Sequence, residues 1–249
     1  MRMIIKPDVK KLAQDMLEEL LAATTDIENN GYSLVTLDLS GCDLSHLDFE
    51  KVLDKYRTKP YIIFDFTNLS YCNFGRYSLP AAGKKVTGAN FTGAALNLIG
   101  CDMSFVDCDF RGCQLNVQSI GSSVGERTKF VGCNFDSVDL SHHLGYLGGQ
   151  IEAAFDSCDM NNVKFTNQTI CSVFENCELR NVDFSRTCLC GSTFVRCDCN
   201  GCNFEDSQTN VDDDQFIFAG EQTEVRFIET DLSDCNFTDQ QKEDINDGI

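Results

Sequence analysis

Large apolar residues recur at every fifth position along most of this chain, and that spacing predicts its architecture before composition is considered. Aligned on the apolar residue, Leu37 to Lys51 reads LDLSG, CDLSH, LDFEK. CNFGR follows from Cys72, ANFTG from Ala89, CDMSF from Cys101, then CDFRG and CQLNV from Cys108 to Val117. The pattern returns as TKFVG, CNFDS and VDLSH from Thr128 to His142, and as CDMNN and VKFTN from Cys158. From Ser172 to Asp206 it runs unbroken as SVFEN, CELRN, VDFSR, TCLCG, STFVR, CDCNG and CNFED, and TDLSD and CNFTD close it at Asp239. In each five the first residue is small or β-branched, the second is mostly Asp or Asn, the third is Leu, Phe or Met, and the last two are polar or small. Neither the helical period of about 3.6 nor the strand period of about 2 generates this order.

An apolar anchor every five residues is buried throughout only if each five turns a corner, so that successive anchors face a common axis. The chain is then an all-β solenoid whose coils stack at the roughly 4.8 Å spacing of paired strands, each coil supplying backbone partners to the next. Small first-position residues let the backbone pass close to the axis, and the second, fourth and fifth positions stay in water. The open end of such a stack exposes strand edges and core, so it requires a cap. Residues Pro7 to Thr25 supply one: Leu12, Met16, Leu17, Leu20 and Leu21 fall on one face of a helix. The expected organisation is a capping region over 1–30, the repeat over 31–239 and an acidic tail over 240–249. The repeats are interrupted at Val52 to Ile63, Tyr77 to Gly88, Gln118 to Arg127, His143 to Glu152 and Ser207 to Glu224. Insertions of this kind loop out from corners and are usual carriers of function on a rigid scaffold.

These fives resemble the pentapeptide-repeat family, whose consensus is A(D/N)LXX, over roughly Leu37 to Asp239, with Cys or Val here in place of the consensus Ala. The resemblance implies a right-handed parallel β-helix with four sides, four fives to a coil. It says little about function, because one fold hosts many roles.

The repeat also reinterprets the candidate chemistry. Of 15 cysteines, Cys42, Cys72, Cys101, Cys108, Cys113, Cys133, Cys158, Cys177, Cys197, Cys202 and Cys235 occupy the first position, where a buried thiol acts as a compact hydrophobe. Cys199 takes a third position, and Cys171, Cys188 and Cys190 fall nearer the surface. Packing explains them better than metal or redox chemistry, and no metal or cofactor is expected. His46, His142 and His143 have no partner at triad spacing, the Gly-rich HHLGYLGGQ is not a phosphate loop, and no Gly-x-Ser-x-Gly occurs. No catalytic residue is assigned, and the chain is read as non-enzymatic.

Charge is what remains. With 39 acidic and 20 basic residues the net charge is -19, which excludes direct nucleic-acid binding and disfavours anionic membranes while attracting basic partners. From Glu205 to the end there are 14 acidic and 2 basic residues. Candidate partner-binding residues are Asp212, Asp213 and Asp214 in the last insertion, together with the second-position Asp102, Asp109, Asp139, Asp159 and Asp183. The simplest role of the latter is to satisfy corner backbone donors, but stacked coil upon coil they also build a negative face. No window is long and apolar enough for a membrane span, MRMIIKPDVKK lacks a signal-peptide core, and the many thiols fit a reducing cytoplasm.

The expected function is a protein-protein interaction scaffold, in the manner of a secreted bacterial effector or targeting module, facing a protein with a basic surface. The alternative comes from the quinolone-resistance branch of the family, whose members mimic DNA in the DNA saddle of type II topoisomerases. Duplex DNA carries a charge about every 1.7 Å, and an acidic rod of about 40 Å could compete with it. Those members usually dimerise through an apolar C-terminal helix, and DQQKEDINDGI has no such stripe.

Overall fold

A computed structural model describes residues 2–29, 34–55, 61–81, 84–99, 103–121, 128–141, 150–189, 191–209 and 224–246. All strand pairing is parallel. One sheet holds β1 (Arg2–Ile5), β2 (Leu34–Asp38) and β3 (Tyr61–Ile63). A second holds β4 (Asn73–Ser78), β6 (Ala95–Ile99), β8 (Gln114–Gly121), β10 (Gln150–Ile151) and β12 (Thr169–Ile170) in that spatial order. The third, of seven strands, stacks β5 (Lys85–Thr87), β7 (Ser104–Val106), β9 (Thr128–Val131), β11 (Ala153–Asp156), β13 (Val173–Glu175), β14 (Thr193–Val195) and β15 (Arg226–Ile228). Single bridges carry the remaining sides. This is the expected right-handed, four-sided β-helix.

The bridges measure each coil directly. Asn90 pairs with Asp109 and Glu178 with Asp198, steps of 19 and 20 residues; Asp109 to Asn134 takes 25, and Asp198 to Asp231 takes 33. Coils near 20 are four uninterrupted fives. The longer ones absorb the insertions predicted after Gln118 and Ser207, leaving the register of the core untouched.

Many fives outside the seven-stranded sheet end in a tight turn in which the first-position amide of the next five donates to the third-position carbonyl, as in Leu47 N to Leu44 O (3.2 Å) and Cys72 N to Leu69 O (3.2 Å). The fifth residue then has positive φ: His46 at 65°, Tyr71 at 58°, Asn181 at 56°, Gly41 at 72°. A turn closed between residues three apart with φ above zero at its third residue has type II form, which ordinarily favours Gly or Asn. Here many other side chains accept it, because backbone bonds to the coils on either side hold the corner in place.

Third-position rings form columns. Phe105, Phe130, Phe155, Phe174, Phe194 and Phe227 stack with centroids 4.8 to 5.2 Å apart, a spacing set by the coil rise. Phe91, Phe110 and Phe135 stack on the next side, and Phe165, Phe184, Phe204 and Phe237 on the third. Phe130 and Phe135 on adjacent sides, and Phe184 and Phe194 on opposite ones, meet edge to face, a favoured geometry for aromatic pairs.

Three expectations are corrected. Phe105, not Met103, is the anchor of its five; Met103 is buried two residues earlier, at the first position. The interruption placed at Val52 to Ile63 is narrower, since α2 (Phe49–Leu53) buries Val52 and Leu53 and β3 rejoins the stack. Several fives escaped the alignment: strands β5, β11 and β15 stack Val86, Phe155 and Phe227 in the anchor register, and Ile62 to Phe66 and Thr67 to Tyr71 bury their anchors Phe64 and Leu69. Phe and Tyr at their fifth positions hid the last two.

The cap helix, α1 (Gln14–Asn29), begins seven residues later than the start expected at Pro7, and Leu12 is buried from an extended approach. Leu17 and Leu21 close the apolar end. The Gln14 amide spans the first coil edge, donating to Asp48 O (2.9 Å) and accepting from Asp48 N (2.9 Å). Strand β1 adds a partial coil outside it, in register with β2. At the other end, the expected acidic tail is a helix over α3 (Asp239–Asn246). Gln241 there is buried and donates to Phe204 O (2.9 Å) and Ser207 O (2.7 Å). A glutamine amide thus occupies exposed strand-edge groups at each end. Among the described residues no helix is long and apolar enough to cross a membrane.

Candidate interaction surface

The second-position Asp and Asn residues gather mainly on two sides. On one, Asp43, Asn68, Asn90, Asp109, Asn134, Asp159, Glu178, Asp198 and Asp231 form one unbroken ladder from coil to coil. On the next, Asp139, Lys164, Asp183, Asn203 and Asn236 follow one another. Of the predicted residues, Asp109 and Asp159 therefore share the first ladder, while Asp139 and Asp183 belong to the second with Lys164 between them. Asp102, Asp212, Asp213 and Asp214 lie outside the described residues.

Their local role is uniform. Each side-chain oxygen accepts the amide two residues on: Arg111 N to Asp109 (3.1 Å), Ser141 N to Asp139 (2.9 Å), Asn161 N to Asp159 (3.2 Å), Ser185 N to Asp183 (3.0 Å). This is the corner-donor role expected of short Asx side chains. Asn members also join neighbouring coils, as Asn68 Nδ2 donates to Asp43 (2.9 Å) and Asn203 Nδ2 to Asp183 (3.2 Å). The hydroxyl and amide of Ser45 hold the Asp43 carboxyl below its ordinary pKa.

The side carrying the longer ladder is also the more acidic. Its flanking corners add Asp65, Asp107, Asp156, Glu175, Glu229 and Asp234. Cations interrupt it at intervals: Arg111 pairs with Asp109 (2.6 Å), Arg180 with Asp198 (2.6 Å), Arg196 with Glu175, and Lys11 with Asp43 (3.5 Å). Asp159, Glu178 and Asp231 make no ion pair with a described residue. All these charges are at least partly solvated, so their pairing contributes little stability and their summed field remains available to a partner.

At one end of this side the corners carry exposed aromatic rings. Phe66 is 68% exposed and Tyr71 58%. Each ring leans over a glycine of the following coil; a Cβ on Gly88 would sit 2.5 Å from the Phe66 ring, and one on Gly93 2.5 Å from that of Tyr71. His46 stacks on Tyr71 at 5.0 Å with planes 7° apart.

The cysteines are packed inward, with a refinement the sequence did not predict. Cys108, Cys133, Cys158, Cys177 and Cys197 line one inner corner in successive coils. Each thiol approaches two carbonyl oxygens, one in the preceding coil and one two residues back: Cys158 lies 3.4 Å from Phe130 O and 3.5 Å from Asp156 O. Thr67 and Thr230 fill equivalent corners with the same pair of bonds, to Leu39 O and Asp65 O and to Phe194 O and Ile228 O. A small donor, Cys or Thr, therefore recurs at this corner, although Ala89 also fills it and Val138, Val163 and Val182 take first positions elsewhere. Cys171, Cys188 and Cys235 are half-buried, and Cys101 and Cys190 lie outside the described residues. Among the described residues no three His, Cys, Asp or Glu side chains gather as a metal site. His142 and His143 lie outside them.

A rod of stacked fives with Asx-bonded corners and an acidic side defines the class, and sequence comparison agrees. The family model described as pentapeptide repeats matches in eight copies, with residues 170–194 matched, and the chain is a pentapeptide-repeat protein. No curated protein sequence matches it. Among solved structures it is similar to trypsin-treated QnrB1, a plasmid-mediated fluoroquinolone resistance protein, at 14% identity and TM-score 0.41, covering 82% of this chain and 95% of that one. Full-length QnrB1 gives 13% and 0.28, over 87% and 98%. HetL, a pentapeptide repeat protein involved in heterocyst differentiation regulation from the cyanobacterium Nostoc, gives 16% and 0.24, over 81% and 84%.

Proposed function

We propose that the protein is a non-enzymatic interaction scaffold that docks a partner with a basic surface on the side bearing the Asp43 to Asp231 ladder. The observation that carries this is the in-register row itself, continued at the corners by further carboxylates. A rigid core fixes the spacing of those charges at the coil rise of roughly 4.8 Å, so a complementary array gains without ordering the scaffold. The test is a pull-down comparing the protein with an Asp159→Asn, Glu178→Gln, Asp231→Asn variant, identifying what is bound at low and moderate salt. Capture of proteins with basic surfaces, lost in the variant and with added salt, is the expected result. Capture unchanged by the substitutions refutes the assignment to this side.

The narrower reading, a duplex mimic bound by a type II topoisomerase, is favoured by the regular pitch of the row and opposed by the arginines that pair within it. Inhibition of gyrase supercoiling by the wild-type protein but not the variant would establish it. No inhibition at high micromolar protein removes it and leaves the scaffold reading intact.

A further inference from the structure

The two corners that flank the acidic side differ in one respect. At one, His46, Tyr71 and Gly93 succeed one another, and the His46 ring fills the space on the face of Tyr71 away from Gly93. At the other the sequence is Gly41, Phe66, Gly88. The Phe66 ring likewise leans over Gly88. Above it, where the parallel column places an imidazole, stands Gly41, and a Cβ built there meets nothing within 4 Å. Among the described residues neither a ring nor a cation stacks on Phe66. The protein thus presents one face of an exposed phenyl ring under a gap whose shape its own architecture fills, one corner away, with a flat side chain.

We infer that this gap receives an arginine side chain of the partner, its guanidinium laid on Phe66 as His46 lies on Tyr71. The inference rests on the scaffold reading and adds to it a specific anchor. A flat group is required by the coil spacing, which leaves room for one planar layer between successive coils. Charge selects among flat groups. Asp65 adjoins the ring, Asp107 stands two coils further along the same corner, and the protein as a whole carries -19. The nearby lysines, Lys6 and Lys11, are paired with Asp38 (3.1 Å) and Asp43 (3.5 Å). A guanidinium is planar, weakly hydrated and stacks on aromatic faces; an ammonium is compact and strongly hydrated. The pocket therefore discriminates arginine from lysine, which a carboxylate row alone does poorly.

The experiment measures the affinity of a labelled oligo-arginine peptide and an oligo-lysine peptide of equal length for the full chain and two variants. Phe66→Ala removes the ring. Gly41→Tyr fills the gap and keeps the ring, at a corner conformation that Tyr71 already adopts at φ 58°. Both variants are expected to lose about two- to fivefold in oligo-arginine affinity, to bind oligo-lysine as before, and to keep the wild-type salt dependence, since no charge has changed. Circular dichroism confirms that each is folded. Wild-type binding that is equally strong in both variants overturns the arginine anchor while leaving the acidic scaffold standing. Equal weakening of both peptides, or a preference for an oligo-phenylalanine-containing control over oligo-arginine, also overturns it. Failure of the wild-type protein to bind either cationic peptide overturns the scaffold reading and the anchor with it.

Discussion

Phe130 offers the sharpest test of the core. Its ring is fully buried, stacked between Phe105 (5.2 Å) and Phe155 (5.1 Å) and met edge-on by Phe110 (5.7 Å) and Phe135 (5.1 Å). Phe130→Ala loses the transfer free energy of the ring, roughly 1.5–3 kcal/mol, and leaves a cavity that stacked coils cannot close, because their spacing is fixed by backbone bonds above and below. The total is expected near 4 kcal/mol, within the usual range of about 3–5 for such truncations. For a chain of this length that lowers the melting temperature by about 8–16 °C. Phe227 makes a useful control. It is only half-buried and stacks on one side alone, on Phe194 (4.9 Å), so Phe227→Ala should cost about half as much. Urea titrations followed by circular dichroism measure both, the absence of tryptophan making fluorescence the poorer probe. A loss below about 1 kcal/mol at Phe130, or equal losses at the two positions, would show that the columns are not packed as described.

Other expectations follow from the corners, ends and titrating groups. Asp183→Ala removes the acceptor for Ser185 N and Asn203 Nδ2 and should cost about 1 kcal/mol in thermal melts, whereas Asp183→Asn keeps an oxygen at the turn and should cost less than half of that. Gln241→Ala strips the donor from Phe204 O and Ser207 O; about 1–2 kcal/mol is expected, with hydrogen exchange rising first in the last coil. Asp43 and Asp231 are held below their ordinary pKa by the serine donors two residues on, so their contribution is complete above the unfolded carboxyl pKa near 4 and is lost as pH falls below it. Burial pushes the Cys72 and Cys113 thiols up to about 12 from 9.0; stability is then retained below pH 9 and lost as pH rises toward 12, which alkaline melts with thiolate absorbance should record. Alkylation of the native protein should reach Cys171 and Cys188 well before Cys108, Cys133 or Cys158, as peptide mapping would reveal; early labelling of the inner column would refute its burial.

How much of this was legible depends on which chemical signal each position carries. The anchors were, because a buried third position tolerates only a large apolar residue, and Leu44, Phe91, Phe135 and Phe184 announce it directly. The phase at Met103 was misread because the first position also faces inward and accepts an apolar residue, so CDMSF fits either frame; the neighbouring strand pairing of Phe105 with Phe130 decides it. The fives ending in Phe66 and Tyr71 were missed because a hydrophobic residue outside the anchor position looks like a break in the pattern. The positive φ at fifth positions left no compositional mark beyond scattered Gly and Asn, since neighbouring coils rather than residue preference stabilise it. Gln14 and Gln241 were invisible for a different reason: their partners, Asp48 and Phe204, lie 34 and 37 residues away.

The division of labour within the five explains why the acidic side is the proper place to look for function. Positions one and three are fixed by packing and by donors to buried carbonyls, and an Asp or Asn at position two is committed through one oxygen to the turn. That commitment is satisfied equally by Asp or Asn, as Asn68, Asn90 and Asn134 demonstrate on the same ladder. Charge at the second position is therefore not needed by the fold. Where the ladder carries Asp or Glu instead of Asn, folding alone does not account for the choice, and the longest such run, Asp159, Glu178, Asp198 and Asp231, falls in successive coils on one side. Replacing those residues by their amides should leave the melting temperature within about 2 °C while changing whatever the rod binds. A large loss of stability in that variant would return the carboxylates to architecture and remove the argument for this face.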